Sequence, residues 1–184
     1  MNFNRHYDLE GKHAFLSASN YHWLNYDVDR LTERYYTHQA VEMGTKMHEF
    51  AAQAINLRVK LTRTRQTLNM YVNDAIGYRM TPEQPLFYSE NCFGTADAIA
   101  FNGKFLRIHD LKTGQGKASF KQLEIYAALF CLEYGIDPRT IDMELRIYQY
   151  DDFTVEIPDP NTILKTMDTI VEFDRVIKKL KMEG

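Results

Sequence analysis

The sequence predicts an α/β protein, with a central mixed β-sheet flanked by helices and a helical segment at its N-terminal side. Three observations carry that class. Residues up to about 80 place apolar side chains at broken helical spacing, and Asn102-Gly103 sits between two alternating apolar runs. A helical stretch of about eighteen residues, ASFKQLEIYAALFCLEYG, then separates that hairpin from further strand-like sequence.

The elements follow in order. FLSASNYHWLNY, residues 15–26, predicts a short helix entered through Ser17 or Ser19, since a hydroxyl at the N-cap accepts an otherwise unpaired N–H. A long helix occupies much of 28–56, where Val41, Met47, Ala51, Ala52 and Ile55 form the apolar stripe. A second spans about 63–78 and ends at Gly77. Pro82 and Pro85 punctuate a loop before the strand-like LFYSENC. The hairpin comes next, with Asn-Gly as its two-residue turn, because both turn residues tolerate positive φ. After the crossover helix closes at Gly135, IDMELRIYQY and FTVEI read as strands, and Pro158-Asp159-Pro160 introduces an amphipathic helix to about Lys181. One domain is expected over 1–184: a helical part to about 80, a sheet core over about 85–157 and a C-terminal helix over about 159–182.

With 45% apolar and 26% charged residues, the chain has an ordinary globular composition, and 184 residues bury a core without disulfide or metal staples. It holds no apolar run of the roughly eighteen residues a membrane span needs, and MNFNRHYDLEGKH lacks the apolar stretch of a secretory signal. A cytoplasmic setting without a membrane partner is therefore expected. Cys92 and Cys131 lie among apolar neighbours and are expected to be buried free thiols. Two thiols cannot by themselves furnish a four-thiolate zinc or iron–sulfur site.

The net charge of −3 hides an asymmetry. No acid lies between Glu49 and Asp74, where Arg58, Lys60, Arg63 and Arg65 cluster, and Lys104–Lys121 holds five basic residues, Lys117 and Lys121 among them, against Asp110. The stretch from Glu133 to Asp174 is acidic. Such a distribution allows a basic groove on an acidic body, with these cations touching phosphates, and it also fits solvated helix faces.

The hairpin carries the chemistry. With a two-residue turn, Phe101 pairs with Lys104, Asp97 lies opposite Ile108 and Asp110 opposite Thr95. Strand alternation then sends Asp97, Asp110 and Lys112 to one face with Ile99, Leu106 and Ile108, and sends Ala96, Ala98, Ala100 and His109 to the other. The carboxylates become diagonal neighbours, roughly 7–8 Å apart at the backbone. Two such carboxylates repel unless a counter-charge joins them, and Mg²⁺ or Mn²⁺ with oxygen ligands supplies one. Lys112 would stand beside the ion, where it could orient a water or neutralise charge on a phosphate. The same residues also read as an ordinary Asp–Lys pair on a surface hairpin; the apolar neighbours of the acids favour the covered site.

At this point the residues resemble a known family. Asp97 followed by Asp110-Leu111-Lys112 is similar to the core of the PD-(D/E)XK nuclease superfamily, which has a restriction-endonuclease-like fold. Gln122-Leu-Glu-Ile-Tyr126 matches the QxxxY element of its RecB-type exonuclease branch, and Gly44-Thr45-Lys46-Met47-His48 resembles that branch's G-x-x-x-H helix. The opening FLSASNYHWLN also looks like the start of bacterial and phage members, and the likeness runs from about residue 15 to 150. It implies a metal-dependent DNA exonuclease of phage or bacterial recombination and repair. Asp97, Asp110, the Leu111 carbonyl and His48 would ligate Mg²⁺ or Mn²⁺. Asp97, Asp110 and Lys112 would be catalytic, with Gln122 and Tyr126 positioning the strand; these last two stand one helical turn apart on one face. The partner would be single- or double-stranded DNA, with room for a recombinase, helicase or single-strand-binding protein and for a homo-oligomer.

The likeness has gaps. Members with an iron–sulfur cluster carry four cysteines, whereas here Tyr26 stands near the first position and no cysteine group lies near the C-terminus, so no cluster is expected. Thr95-Ala96 replaces the proline ahead of Asp97, and no phosphate-binding GxxxxGK[ST] loop of a helicase is present. Two other classes stay open: a non-catalytic nucleic-acid-binding or assembly subunit on this scaffold, and an unrelated interaction protein whose acidic tail is the contact surface.

Overall fold

The computed structural model describes residues 5–183; the predicted helical segment's residues 1–4 lie outside them, as does residue 184. The chain divides into two compact units, Met1–Thr45 and Lys46–Gly184.

In the first unit, the helix expected over 15–26 shrinks to a 3-10 helix at Tyr21–Asn25. The Ser17 and Ser19 hydroxyls bond to each other at 2.7 Å instead of capping, and the Trp23 indole N–H donates to the Ser17 carbonyl at 2.9 Å. These local bonds compete with helix formation. The long helix α1, Val28–Asn56, starts where Asp27 Oδ1 accepts the Arg30 N–H at 2.8 Å. Its residues from Lys46 onward belong to the second unit.

The second unit continues with α2 (Thr67–Gly77), β1 (Thr81–Ser89), β2 (Cys92–Phe101), β3 (Phe105–Leu111), α3 (Lys121–Tyr134), β4 (Asp142–Gln149), β5 (Asp152–Glu156) and α4 (Pro160–Glu183). The five strands form one sheet in sequence order. β3 and β4 are parallel across the α3 crossover, and every other pair is antiparallel, so the sheet is mixed as predicted. β1 is longer than expected and contains Pro82 and Pro85. As an edge strand it has one side without a partner, where a missing N–H breaks no ladder bond. α2 starts at Thr67 because Asn69 Nδ2 bonds the Thr62 carbonyl and Thr64 hydroxyl, and Asp151 Oδ1 caps the Thr67 N–H at 2.9 Å. α3 ends at Gly135, whose φ of 64° is the left-handed cap that glycine adopts without strain.

The hairpin register departs from expectation. Phe101 pairs with Leu106, not Lys104. Asn102 Oδ1 accepts the N–H groups of Lys104 and Phe105, at 3.3 and 2.9 Å, so the side chain builds a longer turn, with Gly103 at φ 91°. The strands thereby slide by two residues, an even step that leaves each side chain on its face.

Two cores cover the sheet. Leu86, Ala96, Ile99, Leu106, Ile108 and Leu145 pack with Leu123, Ala127 and Cys131 of α3 and Ile163 of α4. Truncating Leu123 to alanine there would cost about 2–5 kcal/mol. Ala98, Leu111 and Tyr148 pack instead with Ala51 and Ile55 of α1 and Tyr71 and Ala75 of α2. Ala96 and Ala98 were expected on one face and lie in different cores. The alternation breaks beside Glu83, a β1 residue with φ 47°, a strained region for a side chain with Cβ. His109 is fully buried, as expected, and burial with the Arg146 and Arg107 charges holds it down to about 3, neutral at pH 7. Cys131 is buried but Cys92 only partly, and both are free. No helix among the described residues is long and apolar enough to cross a membrane.

Candidate active site

The site lies around the C-terminal end of β3. Asp110 is 2% exposed, and Asp97 occupies the position on β2 just beyond the last paired residues, Ala98 and His109. Asp97 Oδ2 accepts the Leu111 main-chain N–H at 2.8 Å, which locks the carboxylate beside its counterpart. Burial first, then the neighbouring Asp110 charge, pushes Asp97 up to about 6; His48 and the Leu111 N–H act in the opposite sense. Asp110 is likewise raised by burial, with Lys112 opposing. Two carboxylates so placed are short of positive charge.

A hydrogen-bonded chain runs from Asp110 onto α3. Lys112 Nζ donates to Asp110 Oδ1 at 3.1 Å and to Gln122 Oε1 at 2.8 Å, and Gln122 Nε2 donates to the Tyr126 hydroxyl at 2.9 Å. The helical turn between Gln122 and Tyr126 makes the last link. Tyr126 also packs where Gly94 leaves room: a Cβ there would sit 3.0 Å from its ring. Asp110 Oδ2 lies 3.0 Å from the same ammonium yet off hydrogen-bond geometry, leaving a buried oxygen without a hydrogen-bond partner. Such an orphan is costly unless something else occupies it.

His48 reaches the site from α1, with Nδ1 3.5 Å from Asp97 Oδ2. It is half-buried, next to the fully buried Ala51, while Glu49 points out to solvent. His48, Asp97 and Glu83 bring one ligand atom each within 4.8 Å of one another. Glu83 is the residue that sequence reading missed, because it stands between two prolines in a stretch read as loop. The extension of the strand across Pro82 and Pro85 brings it level with Asp97. Asp110 stands outside this trio, held by Lys112, but contributes its unpartnered oxygen beside it. Carboxylate oxygens with one imidazole fit a hard divalent cation such as Mg²⁺ or Mn²⁺.

The structure therefore brings together His48, Asp97, Asp110, Leu111, Lys112, Gln122 and Tyr126. The basic residues do not join them. Arg58, Lys60, Arg63, Arg65, Lys117 and Lys121 are all exposed. Lys121 is engaged by Glu124 at 2.7 Å, and Lys60 and Arg63 line a separate cavity with Asp74 and Tyr78. Comparison with protein-family models, curated proteins and solved structures gives no match to this chain.

Proposed function

We propose that this chain is a divalent-metal-dependent nuclease that hydrolyses phosphodiester bonds in DNA, an exonuclease with the restriction-endonuclease-like architecture of the RecB-type branch. The observation that supports this reading best is the pair of carboxylates, partly buried Asp97 and buried Asp110, one bonded to a main-chain N–H and the other to a lysine that continues to Gln122 and Tyr126.

A bound Mg²⁺ or Mn²⁺, held by Asp97, Asp110, His48, Glu83 and the Leu111 carbonyl, would supply Lewis acidity and a more acidic water. The protein's own groups do the rest. Asp97 and Asp110 hold their charges at the site, where burial makes them act more strongly on what binds between them than they would in water. The Lys112 ammonium carries a proton that can hydrogen-bond the attacking water or a phosphate oxygen as negative charge builds there. Gln122 keeps Lys112 from collapsing fully onto Asp110, since the ammonium divides its hydrogen bonds between them. Tyr126 presents a phenol, raised above its usual range by burial, that remains a hydrogen-bond donor to a phosphate oxygen. Arg58, Lys60, Arg63, Arg65 and Lys117 are exposed cations away from the carboxylates that would touch the strand's backbone, as Lys121 would on leaving Glu124, and this binding should weaken steeply with salt.

The test is end-labelled single- and double-stranded DNA, linear against circular, with Mg²⁺ or Mn²⁺. Asp110→Ala should abolish degradation while its melting curve stays cooperative. A wild-type protein that degrades neither DNA nor RNA with either metal, or an Asp110→Ala variant with full activity, overturns the reading. Cleavage of closed circles would make it an endonuclease.

A further inference from the structure

We propose that a cavity beside Lys112 is a nucleobase subsite, which seats the base of the nucleotide whose phosphate lies at the Lys112 ammonium. This rests on the phosphodiesterase reading above. The cavity measures about 440 Å³ and lies at the C-terminal ends of the parallel pair β3 and β4. Ligands of open α/β sheets characteristically bind outside those strand ends. Its volume is within the range of small-molecule pockets, roughly 300–1,000 Å³.

The lining suits a flat uncharged ring rather than a free anion. Met47, Leu68 and Tyr150 supply apolar surface, Lys112 is the cation at the wall, and the one carboxylate there, Asp151, accepts the Thr67 N–H and hydroxyl. A phosphate-only ligand would call for several cations. A nucleotide needs one charged end and one apolar, hydrogen-bonding body, and base faces stack favourably on aromatic and apolar side chains. Gln66 and Gln115 add amides to the rim. The side-chain amide of Gln115 makes no hydrogen bond among the described residues, so it can read a base edge.

The walls are held before any ligand arrives. Gln149 Nε2 donates to both the Gly114 and Gly116 carbonyls, at 2.7 and 2.8 Å, and the Tyr150 hydroxyl donates to the Gln115 carbonyl. Asn69 is likewise committed to the Thr62 carbonyl and Thr64 hydroxyl. These bonds anchor the glycine loop after Lys112 to the β4–β5 turn and pin the segment before α2. Preorganisation of this kind lowers the cost of ordering a ligand.

The experiment compares two phosphodiesters with Mn²⁺, thymidine 5′-(p-nitrophenyl phosphate) and bis(p-nitrophenyl) phosphate. Each hydrolysis consumes one water and releases p-nitrophenolate, and only the first substrate carries a base. The wild type should favour the thymidine ester in kcat/KM. Leu68→Trp, which fills the cavity, should lower the ratio of the two kcat/KM values at least tenfold, and Gln115→Ala severalfold. Should Leu68→Trp fail to fold, Gln115→Ala on its exposed loop carries the test. A wild type with no preference, or variants that keep the ratio, overturns the subsite alone. A wild type that hydrolyses neither ester overturns the activity on which it rests.

Discussion

Asp97 Oδ2 accepts the main-chain N–H of Leu111 at 2.8 Å, so a carboxylate on β2 is tied to the end of β3 immediately after Asp110. One hydrogen bond therefore sets the spacing of the two acids. It also explains why they persist as neighbours although burial raises both and the Asp110 charge raises Asp97 further.

Asp97→Asn tests that arrangement. Asparagine's carbonyl oxygen can still accept the Leu111 N–H, while the repulsive charge disappears. A carboxyl raised from 3.8 to about 6 contributes its stability fully below its ordinary value and loses it as pH rises through about 6. In EDTA at pH 7.5 the variant should thus melt at or above the wild-type temperature. Mn²⁺ at about 100 times its Kd should raise the wild type by about 5–10 °C and leave Asp97→Asn unmoved. Calorimetry with and without Mn²⁺ checks both halves.

Glu83→Gln should raise the Mn²⁺ concentration at half-maximal thermal shift by about tenfold or more, with little effect on metal-free melting. The residue is exposed, and its carboxylate approaches His48 and Asp97 within 4.8 Å. Fewer anionic ligands mean weaker binding of a hard cation. An unaltered midpoint would remove Glu83 from the ligand set.

Lys112→Met and Gln122→Leu separate binding from chemistry. Both should keep the Mn²⁺ thermal shift. Lys112→Met should lower kcat on DNA by about 100-fold or more, as removal of a charge-stabilising donor does elsewhere. Gln122→Leu should lower it less, since Lys112 then leans onto Asp110 alone. Stopped-time digestion of labelled DNA, with metal binding followed separately, reads the difference.

Gly94→Ala should reduce activity through Tyr126. The added methyl would meet the ring at 3.0 Å, so the ring must give by a few tenths of an ångström and disturb its bond from Gln122. Tyr126→Phe keeps the ring and removes only the hydroxyl, so Gly94→Ala should cost no further activity in a Tyr126→Phe background if it acts by displacing the phenol, and the same loss in both backgrounds would refute that route.

Asp174→Asn tests the anchoring of α4. The carboxylate accepts from Ser89 Oγ at 2.6 Å and Asn91 Nδ2 at 2.8 Å and pairs with Lys178 at 2.7 Å, which together hold it down to about 2. A depressed carboxyl stabilises above its ordinary value near 3.8 and loses that contribution as pH falls through about 2. The variant should melt below the wild type at pH 7, and the gap should close between pH 4 and 2.

Much of this was legible in the chain of residues. Turn chemistry at Asn102-Gly103, alternation through Ile99, Leu106 and Ile108, and the helical spacing of Gln122 and Tyr126 are local, and each has a local physical cause. They place Asp97, Asp110 and Lys112 together even though the turn is two residues longer than Asn-Gly alone predicts, because a strand's period is two and an even slip preserves its faces. What only the tertiary structure decided was non-local. The place of β1 at the sheet edge let two prolines stay in a strand, and with them came Glu83. Ala96 and Ala98, two apart on β2, went into different cores. The bonds from Leu111 to Asp97 and from Lys112 to Gln122 join residues that pair only after the sheet and α3 have packed, and no periodicity along the chain encodes such contacts.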